Sequence, residues 1–115
     1  AENASDFVRL TGWIPRDQLY ELFRDAWAFV YPSTFEGFGM PVLEAMAAGV
    51  PLVCSSIPPL REVAAGAALY CDPGDRSALL EAMRRVVEDE PLRERLAAEG
   101  RERAREFTWE RSARA

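Results

Sequence analysis

The sequence contains no histidine and no lysine; all 14 of its basic residues are arginine. Without an imidazole the chain supplies no histidine general base, no Ser-His-Asp relay and no histidine metal ligand. Without lysine it forms neither a Walker A phosphate loop nor a Schiff base. Cysteine is scarce. Cys54 and Cys71 both sit in apolar surroundings and read as buried free thiols of a cytoplasmic protein, not as a disulfide framework. No apolar run approaches the ~20 residues of a membrane span, and no basic start is followed by the apolar stretch of a signal peptide. Asp and Glu number 19, giving a net charge of -5. That balance argues against a nucleic-acid partner, which calls for a basic face.

What is present fits one domain: 115 residues, 49% of them hydrophobic, enough for a single core. Short apolar runs occur at Phe7–Leu10, Trp27–Tyr31, Leu52–Cys54 and Ala67–Cys71. They are nearly continuous, not alternating, as in strands covered on both faces, and Trp27 and Phe29 read as strand core. Between them lie amphipathic stretches. Leu19, Leu22, Phe23 and Ala26 recur at helical spacing; Val42, Leu43, Ala45, Met46 and Ala47 fill a second helix; Leu60, Val63 and Ala64 mark a short third. The order β-α-β-α-β-α-β predicts an α/β fold with a parallel sheet and right-handed crossovers.

The punctuation agrees. Pro41 suits the start of a helix and Gly49 the left-handed residue after it, with Pro51 as a stop. Pro73-Gly74-Asp75 reads as a turn ending in an N-cap. A helix is predicted from Arg76 to about Glu90 and another from Pro91 to about Phe107, with Thr108-Trp109 opening one more. Arginine and acidic residues interleave along this region, the pattern of a solvated helix face.

The chemistry concentrates in Pro32-Ser33-Thr34-Phe35-Glu36-Gly37-Phe38-Gly39-Met40-Pro41-Val42-Leu43-Glu44-Ala45-Met46, where a strand gives way to a helix. Ligands of open α/β sheets bind at the carboxyl ends of strands. Glycines flanking Phe38 permit close approach of backbone to a ligand, and amides near Gly39, Met40 and Val42 at the helix start favour phosphate or hydroxyl groups. Glu36 lies on the loop and Glu44 in the first turn of the helix. A folded-back loop aims both carboxylates at one extended ligand. The alternative is that they only complement the helix dipole and the glycines only shape a turn.

The pattern Glu36-(x)7-Glu44, set within Pro-Ser-x-x-Glu-Gly-Phe-Gly-Met-Pro-x-x-Glu-Ala-Met-Ala-x-Gly-x-Pro, resembles the signature of the retaining glycosyltransferases of family 4, also called group 1. Thr11-Gly12 before an aromatic, Val53-Cys54-Ser55, Arg61-Glu62-Val63, Asp72-Pro73-Gly74-Asp75 and Phe107-Thr108-Trp109 follow in that family's order, so the resemblance covers nearly the whole chain. It implies a Rossmann-like parallel sheet, with residues 1–115 forming the later part of the C-terminal, donor-binding domain of a two-domain GT-B enzyme.

The same resemblance implies a nucleotide-diphosphate sugar as donor substrate, retained anomeric configuration, no metal and no cofactor. Glu36 would bind the donor sugar's hydroxyls and act as the catalytic residue. Gly37, Phe38, Gly39 and Met40 would contact sugar and diphosphate. Glu44 would grip the ribose and Leu43 would pack beside the nucleoside, while Gly12, Trp13 and Ile14 would border the base. Ser56 reads either as a phosphate contact or as part of a plain helix-entry loop.

In the family's strand order 3-2-1-4-5-6 the four runs correspond to strands 3, 4, 5 and 6. Two strands, with the Arg and Lys they carry, and the acceptor domain are therefore expected from a missing N-terminal portion or from self-association. Two further readings are a non-catalytic nucleotide-sugar-binding module and a structural fragment that self-associates.

Overall fold

A computed structural model of the chain describes residues 14–32 and 40–114. Strands β1 (Phe29–Tyr31), β2 (Leu52–Ser55) and β3 (Leu69–Cys71) form a parallel sheet in the order β1-β2-β3. Phe29 pairs with Leu52 and Val53 with Leu69, and so on along each ladder. Among the described residues five helices accompany the sheet: α1 (Arg16–Asp25), α2 (Met40–Ala47), α3 (Pro58–Ala64), α4 (Arg76–Glu88) and α5 (Glu90–Arg114). The strand–helix alternation expected from the apolar runs is therefore present. The run Phe7–Leu10 lies outside the described residues.

Side-chain alternation along β2 divides the core in two. Leu52 and Cys54 face one layer, with Val42 and Met46 of α2, Leu60 and Val63 of α3, and Ala104 of α5. Val53 faces the other, with Ala82 and Val86 of α4 and Leu92 and Leu96 of α5. Every residue of β2 is buried, which is why its sequence is uniformly apolar until Ser55. A smaller cluster joins Phe23 of α1 to Ala45 and Val50, with Phe23 and Phe29 edge to face at 5.2 Å.

The helix ends follow from identifiable residues. After α2, Gly49 adopts φ +77°, and its amide bonds the Met46 carbonyl while the Val50 amide reaches back to Ala45. This is the paired bonding of a Schellman motif, with Val50 packed in the same cluster as Ala45. Asp75 caps α4, its carboxylate accepting from the Ala78 amide at 3.0 Å, and Gly74 before it has φ +83°. Asp89 closes α4 and accepts from the Leu92 amide at 3.0 Å to open α5.

Two arginines of α5 finish other helices. Arg103 donates to the Val63 and Glu62 carbonyls at the end of α3, at 3.0 and 2.8 Å. Arg93 donates to the Val86 and Val87 carbonyls of α4, at 2.9 and 2.6 Å. A guanidinium satisfies orphan carbonyls and opposes the negative end of the helix dipole.

Three expectations are corrected. Trp27 is not strand core: it precedes β1 and is 62% exposed, with the Arg93 guanidinium 4.3 Å from its ring centroid. An indole beside a cation satisfies its flat face without entering the core. Leu22 has helical spacing but faces outward, because Phe23 and Leu19 already fill the side of α1 that packs inward. Thr108-Trp109 opens no new helix. It continues α5, whose sequence after Glu90 has no helix-stopping proline beyond Pro91.

Candidate functional site

Helix α2 follows the carboxyl end of β1 across the eight residues 32–39, and it carries the described part of the predicted loop. Glu44 stands one full turn inside α2, with no acidic residue in the first turn, so the expectation that it adjoins the helix start is adjusted by a turn. It is half-buried, and its Oε2 is enclosed by protein. Leu43 beside it is also half-buried and packs against the core layer of Val42 and Met46. Of the expected base-bordering residues, Ile14 is half-buried and lies just ahead of α1. Glu36, Gly37, Phe38, Gly39, Gly12 and Trp13 lie outside the described residues, as does the Met40 side chain; the Met40 backbone begins α2.

The position of α2 is tightly set. Gly100 of α5 packs against it so closely that an added Cβ would sit 3.5 Å from the Met46 Cα and Cβ. At Gly49 an added Cβ would meet the Arg101 side chain. The helix bearing Glu44 is thus held from behind by α5 and from below by β2.

The carboxyl edge of the sheet carries a second feature that the sequence analysis did not single out. A pocket of about 330 Å³ opens where the three strands end, bounded by Pro32, Ser55 and Cys71 and by the turn Asp72–Asp75 that leads into α4. The signal was present in Pro73-Gly74-Asp75, but it read only as a turn and cap. Ser55, 1% exposed, is the buried polar residue among those described. Nearby, Arg61 donates from Nε to the Ser56 hydroxyl at 2.7 Å and lies 4.4 Å over the Tyr70 ring. Ser56 is therefore engaged within its own helix-entry loop.

Burial pushes the Tyr70 hydroxyl up to about 12, with Cys54 adding to the shift, and the hydroxyl donates to the Ala65 carbonyl. Burial likewise raises Cys54 to about 12, with Cys71 adding to it; Cys71 is raised by burial and then by Asp72. Both thiols are free and buried, and the Cys71 Sγ–H points to the Cys54 carbonyl at 3.8 Å. Thiols held neutral in this way are poor nucleophiles and poor metal ligands. Among the described residues no group of three or more Cys, Asp and Glu side chains is arranged to hold a metal, and no helix is long and apolar enough to cross a membrane.

A parallel α/β sheet, with a carboxylate-bearing helix following one of its strands in sequence, has the layered arrangement of the doubly wound folds. The chain belongs to the glycosyl transferases group 1 family, whose family model matches residues 1–103. It is 42% identical to O-antigen chain mannosyltransferase B of Escherichia coli over 104 residues, which is 90% of this chain and 27% of that protein. It is 37% identical to glycogen synthase of Mycobacterium tuberculosis over 111 residues, 94% of this chain and 27% of that one. Among solved structures it is similar to the sucrose-phosphate synthase from Thermosynechococcus elongatus, a GT-B enzyme, with TM-score 0.82 and 32% identity over 90% of this chain and 26% of that one. The chain spans about a quarter of the length of these relatives.

Proposed function

We propose that the chain is the donor-binding part of a retaining glycosyltransferase, which transfers a sugar from a nucleotide-diphosphate sugar to an acceptor. The observation that carries this reading is Glu44: a half-buried carboxylate on α2, within the residues that the group 1 family model matches. Carboxylates accept hydrogen bonds from vicinal hydroxyls, and Glu44 is assigned to the ribose, with Leu43 beside the nucleoside. Glu36 is assigned to the donor sugar as the catalytic residue. Gly37, Phe38, Gly39 and Met40 are assigned to sugar and diphosphate, and Gly12, Trp13 and Ile14 to the base. The chain works in the cytoplasm, without metal or cofactor, and is inactive by itself.

The test uses the longest natural polypeptide that carries this chain. Glu36→Ala lowers kcat, because contacts to the sugar matter most as its anomeric bond breaks. Glu44→Ala raises KM for the donor and leaves kcat nearly intact. Small, equal effects from both would overturn the reading. NMR of the product's anomeric proton tests retention.

One observation favours an added partner surface. Among the described residues β1 is hydrogen-bonded to β2 alone, and all three of its residues are only half-buried. A parallel strand with apolar side chains on both faces is normally covered on both, and the half-burial of β1 supports a further layer. That layer comes from the rest of the polypeptide or from a second copy. Light scattering on the isolated chain distinguishes the two: a dimer supports self-association, and a monomer that becomes stable only with upstream sequence supports the missing portion.

A further inference from the structure

Helix α5 meets α2 through a glycine. Gly100 is buried, and a Cβ added to it would sit 3.5 Å from both the Cα and the Cβ of Met46 and 3.6 Å from its Cγ. Those are ordinary contact distances, so the gap takes one methyl group and nothing larger. The atoms facing the glycine are the main chain and the root of a side chain, not a flexible tip. Met46 and Val42 are themselves fully buried, packed with Leu52 and Cys54 of β2. A bulkier residue at position 100 therefore has to move α2 as a body.

The direction of that movement follows from helix geometry. Val42, Met46 and Gly49 recur at intervals of four and three residues and share one side of the α2 stretch. α5 lies along this side. Ala104 is in the same core layer as Val42 and Met46, Gly100 abuts Met46, and the Arg101 side chain covers Gly49. Glu44 is two residues from Val42 and two from Met46, about 200° around a helix of 3.6 residues per turn. It leaves α2 on the side away from α5. A push delivered at the Met46 Cα thus carries Glu44 along the direction in which its side chain departs.

We propose that Gly100 is a positioning residue for the donor site. By letting the α5 backbone close on α2, it sets how far the Glu44 carboxylate reaches toward the ribose hydroxyls of the donor. Gly100 touches no ligand and acts through Met46 and the α2 backbone. The role assigned to Gly100 rests on the donor reading of Glu44 given above. Hydrogen bonds from hydroxyls to a carboxylate lose strength steeply with misplacement, so a shift of α2 is read as weaker donor binding.

The experiment uses the longest natural polypeptide that carries this chain, with GDP-mannose, UDP-glucose and ADP-glucose as donors and release of nucleoside diphosphate as the signal. Gly100→Ala, Gly100→Val and Gly100→Leu form a size series. Donor KM is expected to climb along it and to reach about tenfold with leucine, the scale of a weakened hydrogen bond to a charged group, while kcat stays within about twofold. If thermal melting shows that Gly100→Leu does not fold, Gly100→Val carries the comparison. Adding Met46→Ala to the bulkier variant returns the lost space and is expected to bring donor KM most of the way back. Arg93→Ala, at the start of α5, controls for lost stability: it lowers the melting temperature and leaves donor KM unchanged.

A donor KM that stays flat along the series overturns the proposal. So does a rise that Met46→Ala fails to reverse, or one that Arg93→Ala reproduces at the same melting temperature. Glu44→Ala separates this failure from that of the donor reading. If Glu44→Ala raises donor KM and the size series is flat, only the positioning role falls. If Glu44→Ala leaves donor KM unmoved, or no donor is turned over by the parent, the donor reading falls and the positioning role falls with it.

Discussion

Arg93 lies with its guanidinium 4.3 Å from the centre of the Trp27 ring while its Nη1 donates to the Val86 and Val87 carbonyls. One side chain thus joins the loop before β1, the end of α4 and the start of α5. Arg93→Ala is expected to destabilise the fold by about 2 kcal/mol, the scale of charge-assisted hydrogen bonds plus a cation–π contact. Arg93→Lys should recover only a minor part, since an ammonium lacks the planar fork. Urea denaturation of the three proteins checks this; equal stability of Arg93→Ala and the parent would refute it.

Ala65 has φ 48° and ψ -120°, and the Ala67 amide bonds the Ala64 carbonyl across it at 2.8 Å. These are the angles of the first central residue of a type II′ turn, a place where glycine is favoured and alanine is strained. Ala65→Gly is expected to stabilise the protein by about 1 kcal/mol, as the strain released exceeds the added freedom of the unfolded chain. A higher melting temperature than the parent is the supporting result.

At Gly49 the opposite holds. Its φ of +77° penalises any L side chain, and an added Cβ would also meet the Arg101 side chain. Gly49→Ala should cost about 1–2 kcal/mol. The Arg101→Ala background should relieve only the steric part, because the backbone angle is unchanged. Melting curves of the single and double variants measure the two contributions separately.

The thiols give a pH dependence. Unfolded Cys54 ionises near its ordinary value of 9.0, whereas burial holds it neutral to about 12 in the folded chain. Its neutral form is the one the fold favours, so this contribution is fully present below pH 9 and is lost as pH rises toward 12. Stability should therefore fall across that interval, and Cys54→Ala should flatten the slope. At pH 8 a thiol reagent should label both cysteines rapidly only in denaturant.

Much of this architecture was legible from residue order. Apolar runs bounded by Gly49-Val50-Pro51 and Pro73-Gly74-Asp75 marked β2, β3 and the helix ends, because those residues act through local backbone rules. Trp27 was misplaced for a physical reason: its apolar neighbours Ala26 and Ala28 extend the run, but a nonlocal guanidinium from α5 satisfies the indole outside the core. The continuation of α5 past Phe107 was similarly hidden by its even mixture of charges, which carries little periodicity. For the site, the carboxylates and glycines were visible as a motif. The pocket at Ser55 was not, since it exists only where three strand ends and one helix start converge.

The last helix contributes Leu92 and Leu96 to one side of the sheet and Ala104 to the other. Neither hydrophobic layer can close until that segment has been synthesised and has swung into place. During translation the earlier strands and helices must therefore wait, greasy and unsealed, for a clasp that arrives after them. Chaperone capture of nascent chains should accordingly persist until α5 has cleared the ribosome exit.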